Sequence, residues 1–157
     1  MIVVIGMDPG PTPGMVRLTY SDARLVDMAV VQCTANTALD VLQMWLITLP
    51  RAAAETYFGV EQYVDRQRGR SGTAGARTRD LVGSAMVLAQ THGAHPVQRP
   101  AVTVKAWATD VRLNAAGLLP SVKGMTHAKD GARHALYAAC KDALIPDPLS
   151  RKAKRDG

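Results

Sequence analysis

Four side chains, far apart in the chain, are of the types that handle hard metal ions and phosphate: Asp8, Glu61, His127 and Asp130. Asp8 closes an apolar run, Ile2-Val3-Val4-Ile5-Gly6-Met7, and opens a Pro/Gly-dense stretch that reaches Gly14. A carboxylate there either caps the turn or is held out for chemistry. Glu61 is one of only two glutamates and sits in an apolar, aromatic run, Thr56-Tyr57-Phe58-Gly59-Val60-Glu61. Burying an unpaired charge is costly, so it either pairs with an arginine or serves a site. His127 and Asp130 lie three apart at the start of a helical pattern and share one face, which His134 continues a turn later. Asp130 alone is also what a helix start favours, through the macrodipole.

Together the four offer oxygen and imidazole donors, which suit magnesium or manganese better than a sulfur-bound zinc. Carboxylates gathered in one place repel one another, and a divalent cation removes that penalty. Two such ions, about 3.5 to 4 Å apart, can activate water, hold a phosphate and stabilise a leaving oxygen in an in-line displacement. The chemistry implied is phosphodiester hydrolysis without a covalent enzyme intermediate.

The elements that must position these groups follow from periodicity and breakers. A β-branched strand over 2–5 runs into the turn at Asp8, and strands over 15–20 and 24–32 flank the turn signal Ser21-Asp22. Leu39, Leu42, Leu46 and Leu49 recur at spacings of three and four before Pro50, predicting an amphipathic helix over 36–49. A strand over 56–64 leads into an Arg/Gly/Ser loop to about residue 76, and a helix over 77–91 ends at Gly93. A short strand at 96–98, a helix over 104–116, a Gly/Pro/Lys connection and a helix over 127–144 complete the pattern. The order βββαβαβαα implies a mixed α/β sheet, antiparallel strands first, covered by helices. One domain over 1–146 is expected, with 147–157 a basic, disordered tail.

Of 157 residues 47% are apolar and 20% charged, which excludes fibrous and wholly disordered chains. Nineteen Lys and Arg against thirteen Asp and Glu leave +6, favouring a polyanionic partner. Arg66, Arg68, Arg70, Arg77 and Arg79 follow one another without an intervening acid, directly after the Glu61 strand. They read as a phosphate-binding rim or as a solvated loop. Cys33 and Cys140 form no CxxC pair and read as reduced, buried thiols. No stretch approaches the roughly 18 apolar residues of a membrane span, and no basic segment precedes the first apolar run, so a soluble cytoplasmic protein is expected.

Three motifs carry a family resemblance. Gly6-Met7-Asp8-Pro9-Gly10 resembles the opening motif of the RuvC-type Holliday-junction resolvases, members of the ribonuclease H-like superfamily. Phe58-Gly59-Val60-Glu61-Gln62 is similar to the second acidic motif, and His127-Ala-Lys-Asp130-Gly-Ala to the third, where the first position is Asp in some members and His in others. The motifs stand in the family's order, and the likeness covers the chain to about Leu144.

The resemblance implies a ribonuclease H-like five-stranded mixed sheet flanked by helices and a homodimer built on the 77–91 helix. It further implies two Mg2+ or Mn2+ ions per site, held by Asp8, Glu61, His127 and Asp130, and paired nicks across four-way DNA junctions. It places Lys105 as a basic catalytic group beside the scissile phosphate; on residue type alone Lys105 is equally a solvent-facing helix lysine. Arg66, Arg68, Arg70, Arg77, Lys123 and Lys129 are expected to contact DNA. Val64 stands where the family has a junction-wedging aromatic, with Tyr63 just before it. A host cell that is bacterial or phage-infected is expected. Two other readings keep some of this: a broader flap and branched-DNA endonuclease, and a binding module that holds branched DNA without cutting it.

Overall fold

The computed structural model describes residues 1–49, 55–63 and 73–153. Three strands, β1 (Ile2–Asp8), β2 (Gly14–Ser21) and β3 (Arg24–Gln32), form an antiparallel meander. Helix α1 (Ala35–Ile47) leads to β4 (Glu55–Glu61), and α2 (Thr73–Thr91) to β5 (His95–Arg99). Both later strands run parallel to β1 and give the order β3-β2-β1-β4-β5. This is the five-stranded mixed sheet that the sequence implies. Short helices α3 (Ala101–Trp107) and α4 (Asp110–Ala115), a 3-10 turn (Leu119–Val122), the long α5 (Thr126–Lys141) and α6 (Pro148–Ala153) follow. Among the described residues no helix is long and apolar enough to cross a membrane.

The sheet sorts its side chains by the two-residue period of a strand. Val3, Ile5 and Met7 of β1, with Phe58 and Val60 of β4, point into the layer beneath α1 and α2, against Leu42, Trp45, Leu46, Leu81, Val82 and Ala85. Val4 of β1, with Val16, Leu18 and Tyr20 of β2, faces α5, whose Ala128, Ala132, Ala135, Ala139 and Leu136 form the opposing stripe.

Small residues on this second face let α5 come very close. A Cβ placed on Gly6 would lie 2.2 Å from the Ala135 nitrogen and the Gly131 oxygen. One on Gly14 would lie 2.0 Å from the His127 carbonyl carbon, and one on Gly131 would meet the Gly14 oxygen at 2.6 Å. The helix backbone rests on the strand backbones with nothing between them.

Several boundaries differ from the sequence expectation, each for a local reason. The helix expected over 104–116 is two helices, because Thr109 caps a new start: its hydroxyl accepts from the Arg112 N–H at 3.4 Å, with Asp110 in the first turn. The helix expected from 77 starts at Thr73, the strand expected to reach 64 ends at Glu61, and α5 stops at Lys141 rather than 144. The expected disordered tail begins instead with α6. Asp147 caps it by accepting from the Leu149 N–H at 3.0 Å, Pro148 suits its first turn, and Arg112 pairs with Asp147 at 3.2 Å. Cys33 and Cys140 are not joined in a disulfide and are half-buried rather than buried, and Trp107 packs edge-on against Tyr137 with Arg112 over its ring.

The close seam predicts a sharp contrast between two glycines. Gly6→Ala should cost about 3 kcal/mol or more, since backbone rather than a side-chain end must move. Gly83→Ala, in α2 with nothing within 4 Å of the added carbon, should gain about 0.5 to 1 kcal/mol. Denaturant midpoints of the two variants check both signs.

Candidate active site

The alternation that builds the α5 face also delivers two carboxylates to its end. Along β1 the residues on that face are Val4, Gly6 and then Asp8; along β4 they are Tyr57, Gly59 and then Glu61. Gly6 pairs with Gly59 and Met7 with Val60, so each acid stands one residue beyond the last paired positions, at the carboxyl ends of adjacent parallel strands. Between β1 and β4 the strand order also reverses, with the meander on one side and β5 on the other. Open α/β sheets place their ligands at such a point.

The start of α5 brings the other two groups. Its cap residue, Met125, offers no side-chain hydrogen bond, and the orphan amides are satisfied from across the sheet. The Gln32 side-chain oxygen, at the end of β3, accepts from the N–H of His127 at 3.1 Å and of Ala128 at 3.3 Å. Held there, the His127 Nδ1 lies 2.8 Å from an Asp8 carboxylate oxygen. Asp130, one turn on and buried, directs one oxygen to Arg133 and the other to the Lys105 Nζ at 2.7 Å. Arg133 and Lys129 are in turn both held by Asp110, at 2.6 Å each. Behind Glu61 stands His134, almost wholly buried, with its Nε2 3.7 Å from a Glu61 oxygen and without a hydrogen-bond partner among the described residues.

Electrostatics mark Asp8 as the strained member. Burial pushes its carboxyl above the ordinary 3.8, the hydrogen bond from His127 draws it back, and the charges of Glu61 and Asp130 push it up again. Asp110 behaves oppositely, held below the ordinary value chiefly by its hydrogen bond from Lys129, with Arg133 adding to it.

The four predicted acid and imidazole groups therefore lie at one end of the sheet: His127 bonds Asp8, Glu61 and Asp130 act on Asp8 through their charge, and Lys105 pairs with Asp130. Three carboxylates and an imidazole are the donor set of a hard divalent cation, and the raised Asp8 is the penalty such a cation would relieve. Among the described residues, however, no three His, Cys, Asp or Glu side chains are gathered to hold an ion in the present rotamers. Asp130 is turned to Lys105 and Arg133 instead.

The expected DNA contacts divide. Lys123 is exposed beside the 3-10 turn, and Lys129 is engaged with Asp110. Arg77 is exposed on α2 and lines a groove with Gly10, Asn36 and Ser84. Arg66, Arg68 and Arg70, with Val64, lie outside the described residues. Tyr63 is half-buried and packs on α2: the Arg79 guanidinium lies 5.7 Å from its ring centre, and a Cβ on Gly75 would meet its hydroxyl at 2.3 Å.

Sequence reasoning missed Gln32, Arg133 and Asp110. Arg133 carried a signal, since it follows Asp130 by three and so shares its face. Asp110 stands in the Thr-Asp pair that also opens α4. Gln32 carried none.

No protein-family model matches the chain, and no curated protein matches it. Among solved structures it is similar to Thermus thermophilus RuvC in complex with a Holliday junction substrate, at 24% identity and a TM-score of 0.62, covering 90% of this chain and 96% of that one. A second structure of T. thermophilus RuvC is similar at 22% identity and a TM-score of 0.56, with the same coverage. The fold of the chain is that of a RuvC-type resolvase, within the ribonuclease H-like architecture.

Two stability measurements test this account of the site. Gln32→Met removes the acceptor for both α5 amides and should cost about 1 kcal/mol, while Gln32→Glu, which keeps an acceptor at similar reach, should lose less. Asp8→Asn should stabilise the protein at neutral pH. In the folded state the raised carboxyl resists ionising, so the parent loses stability as pH rises through that raised value. The gain should shrink as pH falls below the raised value and vanish below 3.8, where Asp8 is protonated both folded and unfolded. Denaturation curves across that range read it directly.

Proposed function

We propose that the chain is a structure-selective, metal-dependent DNA endonuclease that resolves four-way junctions as a homodimer, by paired phosphodiester hydrolysis. The observation that supports this reading is Asp8 and Glu61 at the carboxyl ends of adjacent parallel strands, with His127 bonded to Asp8 and Asp130 one turn on, within the fold of a protein solved on a Holliday junction.

Asp8, Glu61, His127 and Asp130 would hold Mg2+ or Mn2+, two ions per site, once Asp130 turns from its cations. Bound there, the ions supply activation of water and charge neutralisation at the scissile phosphate. The chain's own groups do the rest. His127, fixed by Gln32, orients the Asp8 carboxylate through its ring nitrogen. Lys105 shares Asp130 with Arg133, so a phosphate drawn to Asp130's neighbourhood meets two cations already in place. Because the carboxylates repel DNA, Lys123, Arg77 and the arginines at 66, 68 and 70 would supply the attraction, and losing one phosphate contact should lower the salt slope by about one unit.

The dimer reading draws on α2. Gly83, Ser84 and Val87 share an exposed face there, open to a partner helix, while Ala85 is buried against the sheet and belongs to the core. Binding without cutting draws on one observation, the double engagement of Asp130 by Lys105 and Arg133.

A nicking assay with manganese on synthetic four-way and flap DNA decides among these. The parent should cut the four-way junction on paired strands and the flap poorly. Asp8→Asn and Glu61→Gln should each abolish cutting and leave junction binding in place, and His127→Asp should keep some activity. Binding without any nick by the parent would favour the non-catalytic module, and equal cutting of flaps the broader endonuclease.

A further inference from the structure

Helix α5 crosses the sheet obliquely, and its path gives each strand acid an imidazole. Its backbone meets β2 at Gly14 beside His127, β1 at Gly6 beside Gly131 and Ala135, and β4 at Gly59, where an added Cβ would lie 3.0 Å from the His134 carbonyl oxygen. His127 and His134 are seven residues apart, close to two full turns, so they share a face. His127 thus reaches Asp8 at the end of β1, and His134 reaches Glu61, which follows Gly59 and Val60 on β4. The first pair is a hydrogen bond at 2.8 Å. The second stands open at 3.7 Å, beyond the roughly 2.7 to 3.2 Å of an N–H···O bond.

Packing alone does not account for His134. Its side chain is 1% exposed, and its Nε2 is enclosed without a hydrogen-bond partner among the described residues. The seam around it is built of glycine and alanine, and an apolar side chain would fill the place without leaving a polar atom unpaired. The nitrogen faces Glu61, whose side chain is 25% exposed and has room to shift. We infer that His134 is a positioning residue for Glu61: its Nε2–H donates to one carboxylate oxygen when the other engages a divalent cation, and so fixes the rotamer that binds. The inference rests on the metal-dependent endonuclease reading and deepens it. A neutral imidazole carries one N–H, and with that proton on Nε2 the ring is a donor aimed at a carboxylate, the means by which ligating side chains are commonly held in line. Asp8 already has such a holder in His127. Without His134, Glu61 would have to be ordered by the cation alone, and affinity for the cation would fall.

Two measurements on the full chain without DNA test this. In the parent, Mg2+ should move the His134 Nε2–H proton resonance downfield and slow its exchange with water, as the open contact closes to a hydrogen bond. Mn2+ binding, read from the electron paramagnetic resonance signal of the unbound ion, should be about tenfold weaker in His134→Leu, as for other losses of such a partner. His134→Gln, whose side-chain amide nitrogen can stand where Nε2 does, should recover most of it. Cutting of a four-way junction by His134→Leu should fall at low Mn2+ and return when Mn2+ is raised by about the same factor. A resonance that stays put in a chain that binds Mg2+, a Leu variant that binds Mn2+ as the parent does, or a Gln variant as weak as the Leu one, each overturns the positioning role alone. A parent chain that binds neither ion and cuts no junction overturns the endonuclease reading, and the role of His134 with it.

Discussion

The backbone of α5 lies directly on the backbones of β1 and β2, and this close approach decides where every candidate catalytic group falls. It exists because Gly6 and Gly14 on the sheet face Gly131 and the alanine stripe of the helix. One carbon more at any of the three glycines would lift the helix away. The first turn of α5 would then no longer sit over the turn after β1, where a Cβ added to Gly10 would lie 3.4 Å from the His127 ring and Asp8 receives its hydrogen bond. So tight a seam buries little side-chain area of its own. The larger apolar groups on this face, Leu113, Leu118, Leu136 and Val122, flank it and supply the burial that holds the helix down.

Geometry so strict concentrates charge at one end of the sheet, and the chain tolerates that by pairing rather than by dispersal. Asp8 bears the cost in its raised carboxyl, Asp130 is neutralised by Lys105 and Arg133, and Asp110 steadies Arg133 and Lys129 from outside. Partly exposed ion pairs of this kind do little for net stability, because solvent screens the attraction and ordering the side chains offsets it. What they provide is a fixed set of cations beside a carboxylate, ready for a phosphate. Stability forgone at Asp8 and position gained at Lys105 and Arg133 are two sides of one arrangement.

How legible this was in the sequence varied with the range of the interaction. The apolar runs placed Asp8 at the end of one strand and Glu61 within another, and the three-residue spacing placed Asp130 beside His127, because these signals are local. The helix break at Thr109 and the helix behind Asp147 were also written locally, as a Thr-Asp cap and an Asp-Pro start, but a continuous apolar pattern and a basic composition masked them. The Gln32 cap was not legible at all. It joins residues 95 apart, and nothing at position 32 distinguishes an acceptor for α5 from a polar strand end. Lys129 shows the same limit from the other side: its neighbours in sequence suggest a phosphate contact, while Asp110, nineteen residues earlier, holds it by an ion pair.

The two grooves beside the site make sense of the charge distribution once DNA is taken as the partner. One groove is lined by Gly10, near the His127 ring, and by Arg77 and Asp80; the other is lined by Asp130 and Lys123. A polyanion crossing from one to the other would pass the carboxylate cluster, with Arg77 in the first groove and Lys123 in the second. The cluster alone would repel it, since three acids oppose every phosphate brought near. Attraction must therefore come from bases outside the cluster. That division would let the chain keep acids at its candidate site with a net charge of only +6. The bases need not outweigh the acids at the centre; they need only stand on either side of it.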